Sequence, residues 1–214
     1  MRLAIYSRVL PIACAALLVA GLASADSGAP PREKPELVLP EEYLIYDRVV
    51  QGKFLTSQTT LVLIDRQTVT RLTPQEKEPP TRAFFDENEF FEGAIEPDIV
   101  TDFIAKARRS SRLEARFNFG VSYRFVFGQE PERPEVSLAP IPTAWPRGRP
   151  AQGPPSTVGT LGFSRVGFNR RETQALVYVG DYRPDGTGAG FLILLRRTGK
   201  TWEILNTEVV WVAQ

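Results

Sequence analysis

The sequence predicts an α+β fold: a curved antiparallel sheet of five or six strands packed against two helices, in one domain over about residues 38–214. Three observations carry that expectation. The last third, Ser156 to Gln214, is a succession of strand-like runs (TVGTLGFSRVGFN, TQALVYVGDY, GAGFLILLRR and TWEILNTEVVWVA) separated by short Gly- and charge-bearing turns. Two upstream segments repeat apolar residues every three or four positions, the period of a helix with one buried face. A length of 214 residues, 43% apolar and 24% charged, suits one domain of ordinary size with a real core.

The chain opens with a targeting pattern. Arg2 and Arg8 precede the apolar run LPIACAALLVAGLA, and Ala23-Ser24-Ala25 forms a small-residue cleavage signal before Asp26. The run is too short for a stable membrane span, so residues 1–25 are expected to be a secretory signal peptide and the mature chain to have no stable span. Cys14 lies inside the apolar run, without the Leu that a lipoprotein signal would place before it. Residues 26–37 are polar and proline-rich, a solvated leash.

Next come the elements. Pro40-Glu41-Glu42, followed by Tyr43, Leu44, Tyr46, Val49 and Val50, reads as a first helix with Gly52 as its stop. TTLVLIDRQTV is rich in β-branched residues and predicts a strand from about Thr59 to Ile64, extendable to Val69. Prolines 74, 79 and 80 then forbid a continuous element, and FFDENEFF reads as loop or short helical turn with its Phe side chains packed down. Pro97 and Asp98 open a second helix whose apolar face is Ile99, Val100, Phe103, Ile104 and Ala107, with basic residues towards its end. Residues 115–127 place Phe117, Phe119, Val121, Tyr123, Phe125 and Phe127 on one parity, a long half-buried strand. Prolines crowd the segment from about 128 to 156, an insert expected not to pair in the sheet. Its Ile141 and Trp145 are the residues that would pin it to the domain. In the C-terminal runs FLILLRR is almost wholly apolar, as a strand covered on both faces would be. Thr198-Gly199-Lys200 is a hairpin turn, and the last strand is long enough to need a bulge near Asn206-Thr207.

Composition excludes much chemistry. Cleavage removes the only Cys and the only Met, and there is no His anywhere. Imidazole- or thiolate-held zinc and copper, iron–sulfur clusters, disulfides and Ser-His-Asp or Cys-His catalysis are therefore excluded in the mature chain, and no cofactor is implied. Loss of Arg2 and Arg8 leaves 24 basic against 25 acidic residues, with no basic stripe for nucleic acid. The acids Asp86, Glu87, Glu89, Glu92, Glu96 and Asp98 lack the spacing of a calcium loop. Asp181, Asp185, Glu203 and Glu208 include no pair marked out for glycosidase chemistry. Asp185–Gly190 has the glycines of a phosphate loop but is followed by a strand rather than a helix, so it reads as a hairpin loop. The Trp and Tyr residues read as core before they read as a sugar platform.

Arg165 stands out: a cation in mid-strand on the parity of Leu161 and Phe163 must be paired if that face is inward. It grips an anionic ligand, pairs with a structural carboxylate such as Glu208, or lies on the outer face. With Asn169 on its own parity, and Tyr178 and Glu208 on other strands of the sheet, it makes the candidate ligand site.

The residues Phe163–Asn169, Thr173–Gly180, Gly188–Leu195 and Gly199–Ala213, with the signature SRVGFN…TQALVYV…GKxW, resemble a group of uncharacterised bacterial secreted proteins and lipoproteins. YDRVV and VLIDRQT share a fainter likeness. Members often carry a Cys pair in the loop that here reads YRPDGTGAG. The resemblance implies a secreted bacterial domain and brings no activity with it. The element order is similar to cystatin-like and NTF2-like folds, in which a curved sheet wraps helices around a pocket. The functional expectation is a secreted or periplasmic non-catalytic binding or structural module, acting on an unknown small molecule or protein partner. The alternative is a carboxylate- or Tyr-based hydrolase or isomerase in the concavity of the sheet. A protein-partner module using a strand edge is a third reading, distinguished by flat apolar surface.

Overall fold

A computed structural model describes residues 36–127, 130–131 and 157–214. Helix α1 (Pro40–Val49) begins on a proline, carries Glu41 and Glu42 in its first turn and Arg48 in its last, and so matches the helix dipole at both ends. It runs past Gly52 through one π-helical turn, Val50–Phe54. Gly52 serves packing instead: a Cβ there would lie 2.9 Å from Cδ1 of Ile204. Strand β1 (Leu61–Asp65) is shorter than the β-branched run suggests. FFDENEFF does form short turns. Helix α2 (Arg82–Asn88) is capped by Thr81, whose Oγ1 accepts from the Phe84 N–H at 3.3 Å, and a single 3-10 turn (Phe90–Gly93) follows. Phe85, Phe90 and Phe91 are buried beneath them. Helix α3 (Pro97–Ala107) buries Ile99, Val100, Phe103 and Ala107, as its periodicity predicts.

Strand β2 is confined to Ser122–Phe127. Ahead of it Gly120 takes φ +90°, which ends the extended run, and Phe117 packs against Tyr43 and Tyr123 at centroid distances of 5.2 and 5.3 Å. Strand β3 (Glu130–Pro131) pairs antiparallel with β2. The start of the proline-rich insert thus does pair, against expectation, because it forms the outermost strand among the described residues, where a missing N–H costs no ladder bond. The rest of the insert, with Ile141 and Trp145, lies outside the described residues. So do the expected signal peptide and the expected leash up to residue 35. The leash's last two residues are pinned: the Arg112 N–H donates to the Glu36 carbonyl at 2.9 Å, and Leu37 bridges to Arg112.

The remaining strands are β4 (Thr157–Phe163), β5 (Gly167–Phe168), β6 (Gln174–Tyr182), β7 (Gly188–Thr198) and β8 (Thr201–Ala213). The sheet order is β3-β2-β1-β4-β6-β7-β8, with β5 also paired to β6. From β4 to β8 the pairing is antiparallel, but β1 runs parallel to both β2 and β4, so the α+β sheet is mixed. Parallel pairing needs a crossover connection. Residues 66–121, which carry α2 and α3, supply one between β1 and β2.

Helices cover both faces. On one, Ile45, Tyr46 and Val49 of α1 share a core with Val62, Ile64, Leu161, Phe163, Val177 and Ile193. On the other, Phe85, Ile99 and Phe103 share a core with Leu176, Tyr178, Leu192 and Leu194. Strands β6 and β7 are buried from both sides, which explains the unbroken apolar run FLILL. Close approach of α3 depends on Gly167, where a Cβ would lie 2.6 Å from Phe103 Cβ and 2.8 Å from its Cα. Gly199 takes φ +64° in the tight turn before β8, and β8 bulges at Leu205 and again at Val210.

Candidate functional site

Arg165 does not sit in a continuous strand. Residues 164–166 separate β4 from β5, and the break is stitched to β6 by the Ser164 N–H donating to the Tyr178 carbonyl (3.0 Å) and the Tyr178 N–H donating to Ser164 Oγ (2.9 Å). The excursion turns Arg165 towards α1, where its guanidinium meets Glu42. Arg165 Nε and Nη2 donate to Glu42 Oε1 at 2.9 and 2.7 Å, and Nη1 donates to Ser111 Oγ at 2.9 Å. Glu42 Oε2 also accepts the Val166 N–H at 2.8 Å. The Tyr46 hydroxyl donates to the Ser164 carbonyl at 2.9 Å, with Glu42 Oε2 a second acceptor at 3.2 Å. Glu42 is fully buried and Arg165 is 4% exposed. Burial works against the Arg165 charge, yet the hydrogen bonds and field of Glu42 outweigh it and hold the guanidinium pKa above its ordinary value. The same burial, with Glu42 adjacent, pushes the Tyr46 phenol well above its usual range.

The partner of Arg165 is therefore a structural carboxylate, but Glu42 rather than Glu208. Glu208 lies on β8 opposite Leu192, on the α2–α3 face of the sheet. Glu42 was legible as more than a helix-start acid: it stands four and seven residues before Tyr46 and Val49, on the apolar face of α1. A carboxylate on that face demands a cation, just as Arg165 demands an anion.

Tyr178 lies on the opposite face from Arg165, buried against α3. Its hydroxyl accepts from Trp211 Nε1 at 2.8 Å and lies 3.4 Å from the Tyr182 hydroxyl. Burial, reinforced by Tyr182, raises its pKa far above the ordinary phenol range. The two rings that flank it rest on a row of glycines, Gly162, Gly180 and Gly190, which are direct cross-strand neighbours. Tyr182 occupies the space a Cβ on Gly162 or Gly180 would take, and Trp211 that of Gly190. The arrangement is packing: side-chain-free backbone makes a trough that flat rings fill.

Asn169 organises the turn between β5 and β6. Its Oδ1 accepts from the Thr173 and Gln174 N–H groups (2.8 and 3.1 Å), while Nδ2 donates to Thr173 Oγ1 (3.0 Å) and Glu96 Oε2 (3.2 Å). Asp98, next to it, accepts the Arg170 N–H at 3.0 Å. The acids Glu96 and Asp98 thus tie the turn to the start of α3. Asp185 closes the β6–β7 loop by accepting from the Thr187 N–H and hydroxyl at 3.0 and 2.7 Å, which lowers its pKa. Arg165, Tyr178, Asn169 and Glu208 are therefore distributed over both faces, a turn and the last strand, each with its own neighbours.

The recess that Asn169 does help line lies between α1, α3, the β5–β6 turn and the β7–β8 hairpin. It has a volume of about 600 Å³, and its lining includes Leu39, Leu44, Phe168 and Trp202. Charged groups around it include Glu41, Asp98, Asp102, Lys106, Arg170 and Arg197. Leu39 and Leu44 are 44% and 57% exposed. Phe168 and Trp202 pack together at a centroid distance of 6.0 Å, with Lys106 Nζ 5.0 Å over Phe168 and the Arg197 guanidinium 6.0 Å over Trp202. Lys106 is held there by Asp102 (2.8 Å) and the Val166 carbonyl (3.0 Å), and Asp102 accepts the Phe168 N–H at 2.8 Å. The groove walls are thus braced before anything binds. Leu44 was the missed signal, an apolar residue on the otherwise polar side of α1. No family model, curated protein or solved structure matches this chain.

Proposed function

We propose that this chain is a non-catalytic binding module, exported to the periplasm or beyond, that holds a segment of a partner protein in the groove between α1 and α3. One observation carries the reading: leucines 39 and 44 stand open to solvent beside braced aromatic residues, with Arg and acidic side chains around them. An apolar centre with aromatic anchors and a charged rim is the make-up of a protein-recognition surface. The residues the sequence marked for ligand chemistry support it in a different way. Arg165 is committed to Glu42, and Tyr178 is buried with its hydroxyl committed to Trp211. A small-molecule or catalytic role in the concavity of the sheet would draw on those groups.

Export is part of the proposal, on the strength of Arg2, Arg8, the apolar run and Ala23-Ser24-Ala25, and of the likeness to secreted bacterial proteins. None of the described helices is long and apolar enough to cross a membrane. The likeness to cystatin-like and NTF2-like folds is proposed for the antiparallel part, β4 to β8, alone.

Selection of displayed peptides on the immobilised protein tests the binding role. Enriched peptides should bind the wild type and lose binding to Leu44→Glu and Arg197→Glu, with the melting temperature of both variants unchanged. Peptides indifferent to both substitutions, or no enrichment at all, would refute it. N-terminal sequencing of the exported protein should begin at Asp26.

A further inference from the structure

Strand β8 ends the sheet, so its outer edge meets no further strand among the described residues. Past the bulge at Leu205 its side chains alternate between the faces until the bulge at Val210, which resets the alternation. Thr207 and Val209 lie opposite Ile193 and Phe191 and share the α1 face. Glu208 lies opposite Leu192 on the α2–α3 face. Beyond the bulge, Trp211 reaches Tyr178 on the α2–α3 face and Val210 packs there too. Val212, opposite Ala189, returns to the α1 face. With Ala213 opposite Gly188 on the α2–α3 face, the order of faces from 208 to 213 therefore reads the same in both directions about a point between Val210 and Trp211.

In an antiparallel pair, directly opposed residues project to the same face. A strand whose face order is a palindrome can accordingly pair with a copy of itself across a two-fold axis, each side chain meeting one on its own side of the sheet. We infer that β8 joins a second copy of this chain in this way, with the axis between Val210 and Trp211. Val209 then faces the partner's Val212, Val210 faces the partner's Trp211, and Glu208 faces the partner's Ala213. Charge selects this register. An axis at Glu208 also keeps the face order around it, but sets Glu208 against its own symmetry mate. An axis between Leu205 and Asn206 sets Glu203 against Glu208. Like charges directly opposed destabilise a strand pair, and of these three axes the Val210–Trp211 one alone avoids them.

The exposure of the strand agrees. Val209 and Val212 are 54% and 60% exposed, uncommonly open for paired-strand valines, and the proposed register brings the four valines of two copies together on one face. The adjoining Phe191 and Phe54 of each copy, 6.0 Å apart and only partly buried, extend that apolar strip. The result is one sheet continuous through both molecules.

Sedimentation velocity tests the inference. Over about 1–100 µM the protein should pass from its monomer mass to twice that mass. Val209→Lys and Val212→Lys should each hold it at the monomer mass, since edge lysines oppose strand addition, with melting temperatures close to wild type because both sites are exposed. In a Cys14→Ser background, Val209→Cys/Val212→Cys should oxidise to a covalent dimer. The two positions are three residues apart on an extended strand, too far for a bond within one chain. A monomer at the highest concentration, a dimer that survives both lysine substitutions, or a cysteine pair that does not cross-link while the protein dimerises would each overturn the proposal.

Discussion

Replacing Glu42 with Gln removes one negative charge from the interior and almost no volume, and it probes the contact that decides where Arg165 lies. In the folded protein Glu42 accepts from Arg165 twice through Oε1 and from Val166 through Oε2. The glutamine amide must turn one N–H₂ towards a donor, and it leaves the buried guanidinium with only the exposed Glu36 carboxylate, 3.6 Å from Nη1, as counter-charge. Removing one partner of a buried pair costs about 3–5 kcal/mol, a large share of a total stability of roughly 5–15 kcal/mol. For a domain of this size that corresponds to a drop in Tm of roughly 6–20 °C. Urea unfolding followed by tryptophan fluorescence measures it. The double replacement Glu42→Leu/Arg165→Met takes out both charges and should recover most of the loss, since well-packed apolar substitutes for a buried pair are often neutral. A Glu42→Gln variant within about 1 kcal/mol of wild type would refute the argument, because uncompensated burial of the cation could not be that cheap. So would a double variant whose loss equals the sum of the two single losses, because the residues would then not be coupled.

Four further outcomes follow from the same packing. Asp181 is 8% exposed, its Oδ1 has no hydrogen-bond partner among the described residues, and burial, partly offset by Arg183, raises its pKa. Its favourable contribution is therefore present below the unfolded carboxyl pKa, about 3.9, and is lost as pH rises through the higher folded value. Asp181→Asn should melt above wild type at pH 7.5, by on the order of 1 kcal/mol, with the gap closing at pH 4; a gap independent of pH would refute this. Gly167→Ala drives a methyl group into the backbone of α3 at Phe103 and should cost about 1–3 kcal/mol in urea unfolding; a neutral result would mean that α3 shifts freely. Tyr178→Phe strips the Trp211 indole of its acceptor and should cost about 1–2 kcal/mol. In wild type, absorbance at 295 nm should show the Tyr178 phenol un-ionised until alkaline unfolding, since burial and Tyr182 raise its pKa.

The chain shows how far local pattern reaches. The α+β class, α1, α3 and the hairpins of the C-terminal sheet were legible because each rests on a period or a turn contained within a dozen residues. A proline at the first turn of α1 and α3 and a glycine before β8 are local signals of that kind. Burial of FLILL on both faces was legible too, since a strand covered twice has no polar side. The parallel pairing of β1 with β2 and β4 was not, because it depends on how the 66–121 crossover returns to the sheet. Residues 164–166 read as continuous strand, for Leu161, Phe163 and Arg165 alternate correctly. The strand breaks there instead, and the break brings Arg165 to Glu42, 123 residues earlier in the chain.

That separation marks the division between sequence and structure here. By itself the sequence determined the fold class, the absence of His and of any Cys other than Cys14, and the need for Arg165 to find an anion if its face turned inward. Only the tertiary structure decided which anion, which face each residue occupies, and where an apolar surface stays open. Those outcomes depend on contacts between segments far apart in the chain. A charge states that it needs a partner, but the partner is chosen by whichever carboxylate the packing of α1 against the sheet carries to it.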